Sequence, residues 1–139
     1  MLLVSGMAGV RDHSELDIWK LADEVRKQVW TLVARPAFRS EWSLRNQLKE
    51  AAESPCPNIA EGFSRFHTLE FSRFLRIAKG SLSEVIDHAG AAQSKGLITD
   101  VERNVLCSYA RRARGAATKL ILYLESTQAP GLKRRQSRR

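Results

Sequence analysis

Apolar residues recur at helical spacing along almost the whole chain, and nowhere does the period shift to the two-residue alternation of a half-buried strand. From Glu15 to Val33 the positions are Ile18, Leu21, Ala22, Val25, Val29, Leu32 and Val33. Arg35-Pro36 ends that helix, because a proline has no amide to donate and pushes the preceding residue away from helical angles. Leu44, Leu48, Ala51 and Ala52 open a second helix that meets Pro55 and Pro57. A straight helix through two prolines would cost about 3 kcal/mol or more at each, so a kink or a fresh start at Pro57 is expected. The third helix spans about Leu69 to Ser94 on Phe71, Phe74, Leu75, Ala78, Leu82, Val85, Ala89 and Ala92, and Lys95-Gly96 closes it. The fourth begins at Thr99, where Thr99-Asp100-Val101-Glu102 has capping-box spacing. Its stripe reads Val101, Val105, Leu106, Tyr109, Ala113, Ala116, Leu120 and Leu124, and Gln128-Ala129-Pro130-Gly131 ends it. Four helices with short links predict an all-α, antiparallel up-and-down four-helix bundle with a proline-kinked second helix.

With 139 residues there is room for one such domain. The expected organisation is a mobile leader over 1–14, the bundle over 15–127 and a disordered basic tail over 128–139. Apolar runs are far short of the roughly 20 residues a membrane span needs. The opening Met1-Leu2-Leu3-Val4-Ser5-Gly6 lacks a basic leader and a sufficient apolar core for a secretion signal, so a cytoplasmic location is expected. Cys56 and Cys107 fit that setting as reduced small hydrophobes, since one pair gives no metal or disulfide framework. Leu16, Trp19 and Trp30 fall off the first stripe, and aromatic bulk on a second helix face points to a contact between subunits.

The net charge of +8 points to a polyanionic partner, but its location matters. Residues 129–139 hold five basic side chains (Lys133, Arg134, Arg135, Arg138 and Arg139) and no acid, leaving 18 basic against 15 acidic residues elsewhere. Such a tail serves solubility or contacts nucleic acid. Within the body, Arg73 and Arg76 share a face of the third helix and Arg111, Arg112 and Arg114 cluster in the fourth, which makes them candidate phosphate contacts or a solvated face.

The motifs of common enzymes are absent. Ala78-Lys79-Gly80-Ser81 has the letters of a phosphate loop in the wrong order and lies within a helix, so Gly80 reads as a point of close helix approach. His13, His67 and His88 form no zinc-hydrolase motif, and none follows an arginine at the spacing of a helical-bundle ribonuclease. Glu61 and Glu84 could pair as carboxylates on facing helices, but the Glu-x-x-His spacing of di-iron bundles is missing. Asn58, Glu61, Arg65, Ser81 and Glu84 are instead expected to form a structural polar network where the kinked helix meets the third. No catalytic residue, metal or cofactor is expected.

Four segments carry a family resemblance. Leu16-Asp17-Ile18-Trp19-Lys20-Leu21-Ala22, Glu41-Trp42-Ser43-Leu44-Arg45-Asn46-Gln47-Leu48, Asn58-Ile59-Ala60-Glu61-Gly62-Phe63-Ser64-Arg65, and Glu70-Phe71 with Phe74-Leu75-Arg76-Ile77-Ala78-Lys79-Gly80-Ser81-Leu82-Ser83-Glu84 occur in that order. They resemble the four-helix-bundle family associated with intervening sequences in 23S ribosomal RNA genes and, more distantly, the accessory variability protein of diversity-generating retroelements. The resemblance implies an up-down bundle that tends to assemble as a ring-like homopentamer, in a family with no established enzymatic activity. The distant relative implies RNA, or a protein bound to it, as a partner reached through a basic surface. Lys49-Glu50 stands where the family usually has a basic pair, and Ser54-Pro55 where it has Ser-Ile, which weakens the basic surface on that helix. The expectation is a non-enzymatic homo-oligomer, with RNA contact through surface and tail. The alternative is a protein-binding adaptor or scaffold without nucleic-acid contact.

Overall fold

The computed structural model describes residues 9–137, with side chains through Thr127. All regular structure among these residues is helical: α1 (Asp17–Val33), α2 (Trp42–Glu53), α3 (Pro55–Phe63), α4 (Thr68–Ser94) and α5 (Asp100–Ser137), with short 3-10 turns at His13–Glu15 and Pro36–Ser40. Helices α2 and α3 form one bent arm, so four rods surround the core. α1 packs on α5 and on the arm, and α4 packs on α5 and on the arm. The result is a four-helix bundle.

Each boundary has a local cause. Arg35 is extended (φ −63°, ψ 141°), as its place before Pro36 requires, and the 3-10 turn that follows carries the fully buried Phe38. The bend in the arm starts at Pro55 rather than Pro57. Both prolines fall in the first turn of α3, where an amide has no intrahelical acceptor and its loss costs little. Ser54 keeps helical angles (φ −69°, ψ −40°) and bridges the two parts, its amide donating to the Glu50 carbonyl and its own carbonyl accepting from the Asn58 amide. At the end of α4, Gly96 takes φ +74° and its amide donates to the Gln93 carbonyl, while that of Leu97 donates to the Ala92 carbonyl. These paired bonds satisfy carbonyls the helix leaves open. The box at Thr99 is formed in both directions: the Glu102 amide donates to Thr99 Oγ1 at 3.1 Å, and the Thr99 amide donates to Glu102 Oε1 at 2.9 Å.

The predicted stripes of α1, α2 and α4 are buried except for Leu21 and Phe74, which are half-buried. In α5 the phase differs. Val101 and Val105 are exposed, and Tyr109, Ala116 and Leu120 are half-buried, whereas the inward face is Leu106, Cys107, Ala110, Ala113, Ala117, Ile121 and Leu124. Successive four-residue steps over-rotate by about 40° each on a helix of 3.6 residues per turn, so a stripe read from Val101 in fours drifts off the core. α5 also continues to Ser137, past the stop expected at Gln128–Gly131. Proline's fixed φ lies in the helical range, so a proline in the sequence need not end a helix.

The buried residues form two clusters. One joins the second half of α1, Phe38, α2, the second half of α4 and the start of α5. The other joins the start of α1, α3, the first half of α4 and the later part of α5. The proline joint lies between them, so α2 and α3 each aim a stripe at a different half of the core. Where α3 meets α4 the backbones come close: a Cβ on Gly62 would lie 2.8 Å from Phe74 Cβ and 2.9 Å from Phe71 Cδ1. The close-approach role therefore belongs to Gly62. Gly80, to which the sequence assigned it, is exposed and has nothing within 4 Å of its Cβ position.

Candidate functional site

The joint holds a small polar centre that the sequence only half identifies. Ser54 is its hub: Asn58 Nδ2 donates to the Ser54 carbonyl at 2.9 Å and lies 3.1 Å from Ser54 Oγ, and Ser81 Oγ from α4 donates to Ser54 Oγ at 2.8 Å. Asn58 and Ser81 are thus brought together. Glu61 and Arg65 form a separate exposed pair at 2.7 Å, with the Arg65 guanidinium 5.4 Å from the centre of the Phe74 ring. Glu84, one turn beyond Ser81 on α4, lines a polar groove together with Ser54 and Ser81 of that centre and with Gln47, Glu50 and His88, without a hydrogen bond to the serines. The expected five-member network is therefore a hydrogen-bonded centre of Ser54, Asn58 and Ser81 with Glu84 beside it in the same groove, and a separate Glu61–Arg65 pair. Ser54 was missed because its position before Pro55 reads as a break, whereas its helical backbone aims it at α4.

The arginines separate into committed and uncommitted groups. Arg76 pairs with Glu125 of α5, and Ser72 Oγ donates to the same carboxylate oxygen at 2.9 Å. These two donors, Arg76 first, hold the Glu125 carboxyl below its ordinary range. Arg114 Nη1 donates to Ser83 Oγ at 3.2 Å, and the Arg112 guanidinium sits 5.2 Å from the centre of the Tyr109 ring. Arg73, Arg111 and Arg112 are exposed, and none has an acidic partner among the described residues. Since Ser83 faces Arg114 and Ser72 faces Glu125, Arg111 stands about thirteen residues along the axis from Arg73, or roughly 20 Å. The candidate arginines Arg73 and Arg111–Arg112 thus lie at two separated points rather than in one patch. Side chains of Lys133, Arg134 and Arg135 lie outside the described residues.

The proposed subunit contacts are placed differently from one another. Leu16 is buried in the chain's own core, and Trp19 packs against that core with its ring edge-on to His13 at 5.7 Å. Trp30 is 44% exposed, donates from Nε1 to Glu53 at 2.8 Å and carries the Arg26 guanidinium over its ring. Of the three, Trp30 keeps an aromatic surface free. Beyond it, a cleft between α1 and α5 is lined by Gln28, Thr31, Leu32, Val101 and Val105, the two valines being 71% and 45% exposed. At its edge Arg35 clamps Glu102 with two nitrogens, one at 2.9 Å. That clamp, together with the Thr99 amide, lowers the Glu102 carboxyl to about 2.

Both cysteines are buried as free thiols. Cys56 Sγ donates to the Trp19 carbonyl at 3.8 Å, and burial pushes its thiol up to about 11, far from a nucleophile's range. Among the described residues, no group of His, Cys, Asp and Glu side chains is placed to hold a metal ion, and no helix is long and apolar enough to cross a membrane. Residues 14–117 match the family model described as 23S rRNA-intervening sequence protein. A comparison with curated proteins finds no match.

Proposed function

The chain belongs to the 23S rRNA-intervening sequence protein family, and on that premise we propose that it is a non-enzymatic, homo-oligomeric bundle that binds RNA, or a protein–RNA complex, through uncommitted arginines and its basic tail. The observation that carries RNA contact is the state of the guanidinium groups. Arg73 and Arg111 are exposed without acidic partners among the described residues, while Glu125, Glu102 and Glu61 are held by Arg76, Arg35 and Arg65. A guanidinium without a carboxylate is available for a phosphate at little cost in broken pairs. Two such points roughly 20 Å apart suit an extended or folded RNA backbone better than a small anion.

Self-association is supported by the exposed apolar surface of Trp30 and of the Val101–Val105 ridge, and the pentamer implied by the resemblance is the expected assembly. The up-and-down arrangement is supported by cross-helix bonds: Ser72 near the start of α4 reaches Glu125 late in α5, and Arg35 after α1 reaches Glu102 at the start of α5. The same valine ridge supports the second reading, a protein-binding scaffold without nucleic-acid contact. Charge reversal separates the two. In Arg73→Glu/Arg111→Glu, affinity for a labelled structured RNA should drop at least tenfold at 100 mM salt, with the assembly mass unchanged. Wild-type-level binding by this variant would remove the body arginines from the interface.

A further inference from the structure

We propose that the cleft at the α1–α2 turn binds one unpaired nucleotide of a single-stranded RNA, with the Trp42 indole against the base and Arg39 and Arg45 on the flanking phosphates. The inference deepens the RNA reading above and rests on it, but it concerns residues that the stripes, the motifs and the polar centre leave without a role. Trp42 is the first residue of α2 and is 69% exposed, the most exposed tryptophan of the chain. It has no ring partner among the described residues. It lines a cleft together with the buried Val33 and Phe38, the exposed Ala34, and Arg35, Arg39 and Arg45.

The charges of that cleft are unequal. Arg35 is committed to Glu102, and Glu41, the nearest acid in sequence, is held by Lys95 at 3.3 Å. Arg39 and Arg45 have no acidic partner among the described residues. Arg45 is steadied by donating from Nε to the Val33 carbonyl at 3.3 Å, which leaves its terminal nitrogens to a ligand. The turn itself is anchored by fully buried Phe38. Two guanidinium groups without acidic partners lining one cleft with an exposed indole provide a π face and phosphate donors together, the pairing by which proteins hold unstacked nucleotides. A duplex would satisfy the arginines but keep its bases stacked away from the indole.

The test uses the full-length chain and two fluorescein-labelled probes, an unstructured 12-nucleotide RNA and a 12-base-pair RNA duplex. Trp42→Ala should weaken single-strand binding by about 5- to 150-fold, the range for one lost base–aromatic stack, while duplex binding holds within about twofold. Trp42→Phe should keep most of the affinity, and Arg39→Ala/Arg45→Ala should flatten the single-strand salt slope by about 1.4, at about 0.7 per phosphate contact. Single-strand binding unchanged by Trp42→Ala, with wild type binding well, would overturn the site and leave the RNA reading standing. Wild type binding neither probe would overturn both. Equal loss on both probes with an altered assembly mass would make the indole a subunit contact and overturn the site. Equal displacement of the strand by an acidic peptide of matched charge would overturn it in favour of a protein ligand.

Discussion

Gly62 and Gly80 both lie inside helices and inside the segments that carry the family resemblance, yet only Gly62 has a neighbour against it. A methyl group at 62 would press on the Phe74 Cβ and the Phe71 ring, neither of which can swing away like the end of a long side chain. Gly62→Ala should therefore lower stability by about 1–3 kcal/mol, the usual range for overpacking. Gly80→Ala should raise it by about 0.5–1 kcal/mol, because alanine restricts the unfolded chain and fits an open helix face. Urea melts of the two variants check both signs. Sequence spacing could not distinguish them, since a helical glycine looks the same whether it faces a partner helix or water. The deciding fact is that α3 lies against Phe71 and Phe74, which is a property of the packed arm.

Among the elements, those with strong local chemistry were legible and those set by packing were not. The glycine stop after α4 and the Thr99 capping box are formed as read, because two or three neighbouring residues suffice to specify them. The restart at Pro55 and the phase of α5 were misread, because the first depends on how Ser54 continues the backbone and the second on which apolar residues the other helices cover. Val101 and Val105 look like core in sequence and lie outside it. The capping box also carries a pH signature. Glu102 is held at about 2 against an ordinary 4.5 by Arg35 first and then by the Thr99 amide, so its charged form stabilises the folded state. That contribution is complete above about pH 4.5 and is lost as pH falls toward 2. Glu102→Gln should be less stable than wild type by about 1 kcal/mol at pH 7, and the gap should close through that window. Thermal melts across the pH range measure it, and a constant gap would assign the loss to something other than the carboxylate.

At the scale of the whole molecule, the bundle was readable because each helix repeats its own apolar period, and the family because its segments occur in order between Leu16 and Glu84, within the matched residues 14–117. The candidate site was less legible. Arginine spacing shows which side chains share a helix face, but not that Arg76 is taken by Glu125 or that Arg114 leans on Ser83. Nor does it show that Trp42 stays in water while Trp19 is drawn against the core. What remains after those pairings is a body with a few free guanidinium groups at separate points, to which the tail adds its own charge. Such a surface should bind RNA by many weak phosphate contacts. The measurement that decides this is the affinity of the full-length chain for a structured RNA across a salt series, beside a form ending at Gln128, with assembly mass recorded for each. Binding whose logarithm falls linearly with the logarithm of salt, by about 0.9 per phosphate contact on helical regions, with a shallower slope for the shorter form, is the expected result. No binding by either form at low salt, with the assembly state unaltered by the truncation, would contradict it and leave a scaffold for proteins.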